Sequence, residues 1–113
     1  SVVSAKHNER IKQMLSFVFE HFSESVSIQE ISRAGFCSER ECYRIFQTCL
    51  HTTPNEYLMN YRLQRACDLL QKTEISVTEI SHLCGFGSSR YFGRVFKEHL
   101  GCTPSGYRKR ISK

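Results

Sequence analysis

The sequence lacks the segments that membrane, secreted and disordered proteins carry. No apolar run approaches the roughly 18 residues that span a bilayer. Charged residues such as Lys6, Glu9 and Arg10 interrupt the start, where a signal peptide would be apolar. Two prolines and six glycines among 113 residues indicate short turns without a disordered linker. We therefore expect a cytoplasmic protein with no membrane contact.

The sequence also lacks the motifs of metal sites and enzymes. Its six cysteines form no C-x-x-C pair, and no histidine stands at zinc-finger spacing. It has no Ser–His–Asp order, no paired acids on one helix face and no phosphate-binding loop. We expect no enzyme, no metal and no cofactor. We expect free thiols, buried or half-exposed, in a reducing compartment; they are Cys37, Cys42, Cys49, Cys67, Cys84 and Cys102.

What the chain contains is an internal repeat. SIQEISRAGFCSERECYRIFQTCLHTTPNEY begins at Ser27, and SVTEISHLCGFGSSRYFGRVFKEHLGCTPSGY begins at Ser76. A period of about 50 residues indicates a supersecondary unit used twice. Because the chain also carries a net charge of +5, two equal units suggest a periodic polyanion, of which double-stranded DNA is the obvious one.

Hydrophobic spacing predicts an all-α fold. Apolar residues recur at three- and four-residue steps from Ile11 to Phe22, which marks an amphipathic helix. No segment alternates with the period of two that a half-buried strand needs, so we expect no sheet. Seven helices are predicted: a lead helix at 5–22, a first helix-turn-helix over 27–53, a connector helix over 54–72, a second helix-turn-helix over 76–103 and a final helix over 104–111.

Both copies carry the signals that begin helices. In a capping box, a serine oxygen accepts from the N–H three residues on, and a glutamate there reaches back. A proline at the first helical position loses no hydrogen bond, since that N–H has no partner. The boxes pair Ser27 with Glu30 and Ser76 with Glu79, and the prolines are Pro54 and Pro104.

A glycine-containing turn follows the first helix of each copy, near Gly35 and near Gly85. Glycine suits this place because helix C-termini often need a positive φ. Ser38 and Ser88 then cap a second helix, which completes a helix-turn-helix pattern. The residues expected to face inward from the second helices are Cys42, Ile45, Phe46 and Cys49 in the first copy and Phe92, Val95, Phe96 and Leu100 in the second.

The opposite face of each second helix carries two arginines four residues apart. This face consists of Arg40, Tyr43, Arg44 and Gln47 in the first copy, and of Arg90, Gly93, Arg94 and Lys97 in the second. An arginine can donate two hydrogen bonds to guanine O6 and N7, or it can bind a phosphate. Because a helix-turn-helix presents the start of its second helix to the major groove, we predict binding to double-stranded DNA.

The sequence leaves other interpretations of these residues open. A solvated charged face explains most arginines on a helix, and Arg44 or Arg94 can instead brace the fold through an internal ion pair. Tyr43 can contact a thymine methyl, bind a phosphate or pack against the protein. Gly93 can let the helix approach the groove closely, or it is tolerated at a cost of about 1 kcal/mol. A helical protein-interaction module explains the caps and the core but not the paired arginines.

Phosphate contacts are predicted at helix N-termini and at nearby polar or cationic side chains. The alternatives are capping alone for the hydroxyl groups and solvated charge for the cations. The candidates are Ser38, Gln47, Thr53, Ser88, Lys97, Thr103, Arg108 and Lys109.

These motifs resemble the DNA-binding domain of the AraC/XylS family of bacterial transcription regulators. EISHLCGFGSSRYFGRVFKEHLGCTPSGYR in the second copy is similar to the family pattern I-x-x-x-x-G-F-x-S-x-x-Y-F-x-[RK]-x-F-K…G-x-T-P-x-x-[YF]-R almost throughout. The connector YLMNYRLQRACDLLQKT is also typical of the family. The resemblance covers the chain from Ile11 to Ile111.

The resemblance implies two helix-turn-helix lobes, held by the connector helix, that contact two successive major grooves and regulate transcription. It also implies contact with RNA polymerase, and a monomeric fragment whose full-length chain carries a sensor or receiver domain. The base contacts it implies are Arg40, Tyr43 and Arg44 in the first lobe, and Ser89, Arg90, Gly93 and Arg94 in the second.

The first copy departs from the family pattern at two places. Phe36 stands five residues after Ile31, where the pattern and the second copy have a glycine, so the geometry of the first turn and the aim of Arg40 stay open. His51 stands where the second copy has Gly101. The sequence contains no sensor or receiver domain, and we expect the chain to be the excised C-terminal portion of a larger regulator.

Overall fold

The computed structural model describes residues 2–111, and it describes side chains from residue 5 onward. Those residues form seven α-helices and no strand, which confirms the all-α prediction. The lead helix begins at Val2, three residues before the predicted start. The helices are α1 (Val2–His21), α2 (Ile28–Ala34), α3 (Glu39–Leu50), α4 (Pro54–Lys72), α5 (Val77–Leu83), α6 (Ser89–Leu100) and α7 (Pro104–Ile111).

The chain folds as two compact units, and the boundary between them falls inside α4. Unit 1 extends to Met59 and unit 2 begins at Asn60. Each unit contains one helix-turn-helix, formed by α2 and α3 in unit 1 and by α5 and α6 in unit 2. The helix predicted as a connector therefore contributes its first residues to unit 1 and the rest to unit 2.

The core of unit 1 forms where α1 packs against the helix-turn-helix. Apolar side chains from α1, α2, α3 and the start of α4 are buried together, and Tyr57 of α4 packs edge-on against Phe46 with 6.0 Å between ring centroids. Burial of this apolar surface is the main force that stabilises the unit. The buried side chains are Ile11, Met14, Val18, Ile31, Cys42, Ile45, Phe46 and Leu58.

Unit 2 repeats this pattern with α4 in the place of α1. Leu63, Ala66 and Leu70 are buried at the same three- and four-residue steps as their counterparts on α1. The core is more aromatic, with Phe92 at 4.7 Å from Phe86 between ring centroids. The core continues through Phe96, 5.5 Å from Phe92, to Tyr107, 5.6 Å from Phe96.

One residue predicted to face inward does not. Leu100 is 40% exposed. It is the last residue of α6, and the chain leaves the helix at Gly101, so its side chain lies past the packed stripe. The other inward predictions on α3 and α6 are buried, except for Cys49, which is half-buried.

The capping serines form their predicted bonds in both units. Ser27 Oγ accepts from Glu30 N at 3.1 Å, and Glu30 Oε1 accepts from Ser27 N at 3.0 Å, so the first box is complete. Hydrogen bonds from Ser27 lower the pKa of Glu30 below its usual value. Ser76 Oγ accepts from Glu79 N at 3.1 Å. Glu79 makes no return bond to Ser76 N within the described residues, so only the serine half of the second capping box forms.

Both helix-turn-helix turns close with the same pair of hydrogen bonds, a Schellman motif that needs one left-handed residue. Phe36 takes this conformation in unit 1 with φ 54°, and Gly85 takes it in unit 2 with φ 83°. The two turns therefore begin in the same way, after which unit 2 has one further residue before its cap, Gly87, which is also left-handed with φ 81°. The bonds are Phe36 N to Arg33 O (3.0 Å) and Cys37 N to Ser32 O (3.1 Å), then Gly85 N to His82 O (3.2 Å) and Phe86 N to Ser81 O (2.9 Å).

Gly35 is required for a different reason from the one its position predicts. Its φ is −93°, so it does not supply the left-handed residue of the turn. A Cβ at Gly35 would lie 2.6 Å from Met14 Cγ and 2.9 Å from Met14 Sδ. Glycine is needed there because α2 ends against a buried side chain of α1.

Candidate nucleic-acid interface

The exposed face of α3 carries the four residues that the sequence placed there. Ser38 caps the helix by accepting from Glu41 N at 3.1 Å. The buried side chains of α3 fix the opposite face. The outward residues are Arg40, Arg44 and Gln47, all exposed, and Tyr43, which is 40% exposed.

The start of α3 is tied to α1 by an ion pair. Arg10 Nη1 lies 2.7 Å from Glu41 Oε2, and both side chains remain partly open to solvent. Neither Arg40 nor Arg44 forms an ion pair within residues 5–111, and both are exposed, so the bracing alternative for Arg44 does not describe this structure. Two guanidinium groups therefore stand free on the outward face.

The exposed face of α6 carries a stronger positive charge. Ser88 caps the helix by accepting from Tyr91 N at 3.1 Å. The first turn of α6 contains no acidic residue, whereas the first turn of α3 contains two. A helix N-terminus already favours anions, and α6 leaves that preference unopposed. The outward residues are Ser89, Arg90, Arg94 and Lys97, all exposed, together with Gly93.

Gly93 leaves open space on this face. It is half-buried, and a Cβ built on it would meet no heavy atom within 4 Å. A side chain at this position would therefore not clash with the protein, whereas a Cβ at Gly35 in unit 1 would clash with Met14. Close approach by another molecule is compatible with this geometry.

Tyr91 is a residue of this face to which the sequence assigned no role. The Arg94 Cζ lies 5.4 Å from the centroid of the Tyr91 ring. Tyr91 is 38% exposed, and it lines a shallow depression with Ser88, Arg90 and Arg94. The sequence does contain a signal for this contact, because Tyr91 stands three residues before Arg94 and residues three apart on a helix are neighbours.

The four hydroxyl groups predicted to bind phosphate all cap helices. Thr53 Oγ1 accepts from Glu56 N at 3.1 Å, and Thr103 Oγ1 accepts from Gly106 N at 3.0 Å, as Ser38 and Ser88 do at their own helices. A hydroxyl that accepts from an N–H still has its own proton to donate. Capping therefore leaves each group able to bind an acceptor oxygen. Thr53 is half-buried and the other three are exposed.

Arg108 differs from the other cationic candidates because it is bound to the protein. Its Nε donates to Leu70 O at 3.1 Å, and its Nη2 donates to Thr73 O at 3.2 Å. These carbonyls lie at the C-terminus of α4, where cations are favoured. Lys97 and Lys109 are exposed.

The six thiols lie within the packed parts of the structure. Cys42 and Cys84 are buried, and the other four are half-buried. Burial raises the pKa of Cys42 to about 12 and that of Cys84 to about 11. Within residues 2–111, no three or more His, Cys, Asp or Glu side chains cluster in a way that could hold a metal ion.

None of the helices within residues 2–111 combines the length and the apolar character that a membrane crossing needs.

Known proteins resemble this chain over most of its length. A family profile described as Helix-turn-helix domain matches residues 31–110. The uncharacterized HTH-type transcriptional regulator YdeC of Bacillus subtilis is 40% identical over 102 residues, which cover 90% of this chain and 35% of YdeC. The HTH-type transcriptional activator RhaR of Mannheimia succiniciproducens is 38% identical over 104 residues, which cover 88% of this chain and 37% of RhaR. The chain thus spans about a third of the length of these curated relatives.

Solved structures show the same fold. A transcriptional regulator of the AraC-type DNA-binding domain-containing proteins from Chromobacterium violaceum matches with a TM-score of 0.85 at 29% identity, over 96% of this chain and 97% of that one. The DNA-binding domain of AdpA, a global transcriptional factor solved in complex with a target DNA, matches with a TM-score of 0.85 at 25% identity. That match covers 90% of this chain and 92% of the AdpA domain.

Proposed function

The chain belongs to the helix-turn-helix domain family of AraC-type transcriptional regulators, and from this premise we propose that it binds double-stranded DNA sequence-specifically and so regulates transcription. The observation that carries the proposal is the pair of arginines four residues apart on the exposed face of a capped helix in each unit. Helix N-termini and arginine forks are the groups that bind phosphates and guanine edges.

The proposed base contacts come from the outward faces of α3 and α6. The guanidinium groups of Arg40, Arg44 and Arg90 are exposed and make no ion pair within the described residues, so their donors remain available. Arginine that donates two bonds to one guanine discriminates against other bases by about 1–3 kcal/mol. The full set of proposed base contacts is Arg40, Tyr43, Arg44, Ser89, Arg90, Gly93 and Arg94.

The proposed phosphate contacts surround these faces. Exposed cap hydroxyls and lysines can neutralise or bind the backbone without selecting a sequence. Arg108 is the weakest member of this set, because two of its donors are engaged with α4 carbonyls. The set is Ser38, Gln47, Thr53, Ser88, Lys97, Thr103, Arg108 and Lys109.

The family premise carries further proposals. We propose that α3 and α6 enter successive major grooves, that the chain acts as a monomer in the cytoplasm, and that it contacts RNA polymerase. We also propose that the full-length regulator joins this domain to a sensor or receiver domain. Activation and repression are both compatible with these residues.

In vitro selection of duplexes tests the proposal. We expect enrichment of two short boxes separated by about one helical turn, since successive major grooves on one DNA face repeat at that interval. Arg40→Ala and Arg90→Ala should each lower discrimination at one base pair by about 1–3 kcal/mol. Lys12→Ala is the matched control, because this exposed cation lines a depression together with Glu9 and Glu20 on α1, and those carboxylates would repel DNA.

Two results would contradict the proposal. One is the absence of any enriched duplex. The other is a binding constant that does not fall with salt, because neutralised phosphates release counterions. Equal effects of the arginine variants and of Lys12→Ala would indicate a general charge effect without base contacts, whereas an interaction module with no nucleic-acid role would bind no duplex at all.

A further inference from the structure

Arg94 rests on a stack of aromatic rings that reaches the core of unit 2. Its Cζ lies 5.4 Å from the Tyr91 ring centroid. The Tyr91 ring lies 6.4 Å from that of Phe86, tilted by 50°. Phe86 is 5% exposed and packs at 4.7 Å from Phe92, which is fully buried. The guanidinium is thus supported by side chains that are themselves fixed by packing.

Cation and ring attract each other in this arrangement. The face of an aromatic ring is electronegative and holds a guanidinium placed above it. A guanidinium that stacks on a ring still has its in-plane N–H donors free for hydrogen bonds. Arg94 is exposed, so those donors remain open to an incoming partner. Tyr91 therefore restricts the Arg94 side chain without blocking it.

Unit 1 has no such support for Arg44. Glu41 stands at the place of Tyr91, and it binds Arg10 of α1 at 2.7 Å. Cys37 follows the left-handed residue of its turn as Phe86 does in unit 2. No aromatic ring lies under Arg44 within the described part of unit 1. Among the described residues, Arg94 in unit 2 has this support and Arg44 in unit 1 does not.

Tyr91 also lies near a second arginine, Arg62 of α4. Burial lowers the pKa of Arg62, and the proximity of Tyr91 and Cys84 opposes that shift. Arg62 is half-buried, whereas Arg94 is exposed. The tyrosine is therefore close to an arginine of the packed unit as well as to one that faces outward.

We propose that Tyr91 is a positioning residue, which orders Arg94 for base contact before DNA arrives. The proposal rests on the proposed function and adds to it the role of one side chain. Ordering a long side chain on binding costs free energy, and a side chain already held in place avoids that cost. Arg94 should accordingly discriminate its base pair more sharply than an unsupported arginine would.

Binding measurements with the selected duplex test the proposal. The base pair in contact with Arg94 is the one whose substitution ceases to matter in Arg94→Ala. At that base pair, Tyr91→Leu should lower discrimination about threefold, which corresponds to the loss of an exposed cation–π contact. Tyr91→Phe keeps the ring and should keep wild-type discrimination. In an Arg94→Ala background, Tyr91→Leu should have no further effect on discrimination.

Three results would overturn the proposal. The first is full discrimination in Tyr91→Leu. The second is a loss of discrimination in Tyr91→Phe as large as that in Tyr91→Leu. The third is a loss in Tyr91→Leu that is equal with and without Arg94. The last result would show that Tyr91 only supports the fold. Thermal unfolding of each variant by circular dichroism shows which variants retain the native structure.

A measurement without DNA separates the failure of this inference from the failure of the proposed function. In nuclear magnetic resonance spectra of the free chain, the Tyr91 ring current should shift the Arg94 side-chain protons upfield. The shift should vanish in Tyr91→Leu and persist in Tyr91→Phe. Absence of the shift in the wild-type chain would count against the stack alone, whereas a wild-type chain that selects no duplex would count against the proposed function.

Discussion

Unit 1 and unit 2 place different residues at the same two left-handed positions. Unit 1 has Phe36 with φ 54° and His51 with φ 55°, and unit 2 has Gly85 with φ 83° and Gly101 with φ 79°, with a third left-handed residue, Gly87 (φ 81°), in its longer turn. The hydrogen bonds that close the turns are the same in both units. The need to satisfy the carbonyls at the helix end therefore imposes the conformation, and glycine only makes it easier to adopt.

The outward helices differ as well. α3 carries two arginines against two glutamates, whereas α6 carries two arginines and a lysine against one glutamate. α3 has Tyr43 where α6 has Gly93, and Arg94 is stacked where Arg44 is not. On these grounds unit 2 should contribute more to the electrostatic attraction of DNA, and unit 1 should contribute more to DNA binding through side-chain contacts.

The largest difference between the units is expected in their cores. Phe92 and Cys42 occupy the same place on α6 and α3, and both are fully buried. Phe92→Ala should lower the free energy of unfolding by about 3–5 kcal/mol, because it removes a ring and leaves a cavity. Cys42→Ala removes one sulfur and should lower it by about 1 kcal/mol. Urea denaturation followed by circular dichroism measures both, and equal losses would contradict this account of the cores.

A smaller loss is expected where α2 ends against α1. Gly35→Ala places a Cβ 2.6 Å from Met14 Cγ, and such overpacking should lower the free energy of unfolding by about 1–3 kcal/mol. Gly93→Ala is the matched control, because its Cβ meets nothing within 4 Å, and alanine in a helix interior should stabilise by about 1 kcal/mol. Urea denaturation that shows the same sign for both variants would contradict the steric explanation for Gly35.

The charge difference between the outward helices predicts a change in salt dependence. Lys97 and Gln47 are exposed at the same place on α6 and α3. If Lys97 contacts a phosphate, Lys97→Gln should reduce the slope of log K against log salt by about 1. Gln47→Lys should increase the slope by a similar amount. Fluorescence anisotropy at several salt concentrations checks both, with Lys12→Gln as the control, and an unchanged slope in both variants would refute the proposed phosphate contacts.

Local sequence patterns were sufficient to predict the helices and their caps. They were not sufficient to predict contacts between segments that are distant in the chain. Ser27, Ser38, Ser76 and Ser88 cap the helices that their spacing predicts, because capping involves residues only three apart. The contact between Gly35 and Met14 joins segments 21 residues apart, and no local pattern shows it. Arg108 likewise binds carbonyls 35 and 38 residues earlier in the chain.

The outward faces of α3 and α6 followed from helical periodicity, because the buried residues leave only one face exposed. The spacing of Tyr91 and Arg94 indicated that they are neighbours, but not the role inferred for Tyr91, since its ring also contacts Phe86, a residue of the preceding turn. The left-handed Phe36 was also beyond sequence reasoning. Propensity favours glycine at such a position, and only the hydrogen bonds of the folded turn show that phenylalanine adopts it.

The smallest expected effect concerns the strain at Phe36. A left-handed conformation costs a residue with a Cβ about 1–2 kcal/mol, and glycine avoids that cost but loses more conformational freedom on folding, about 0.5–1 kcal/mol. Phe36→Gly should therefore raise the free energy of unfolding by about 0.5–1 kcal/mol. The control is Phe36→Ala, which removes the 77% exposed phenyl group but keeps a Cβ. Urea denaturation should show a gain for glycine and none for alanine. An equal gain in both variants would mean that the exposed ring, and not the backbone, is the source of the strain.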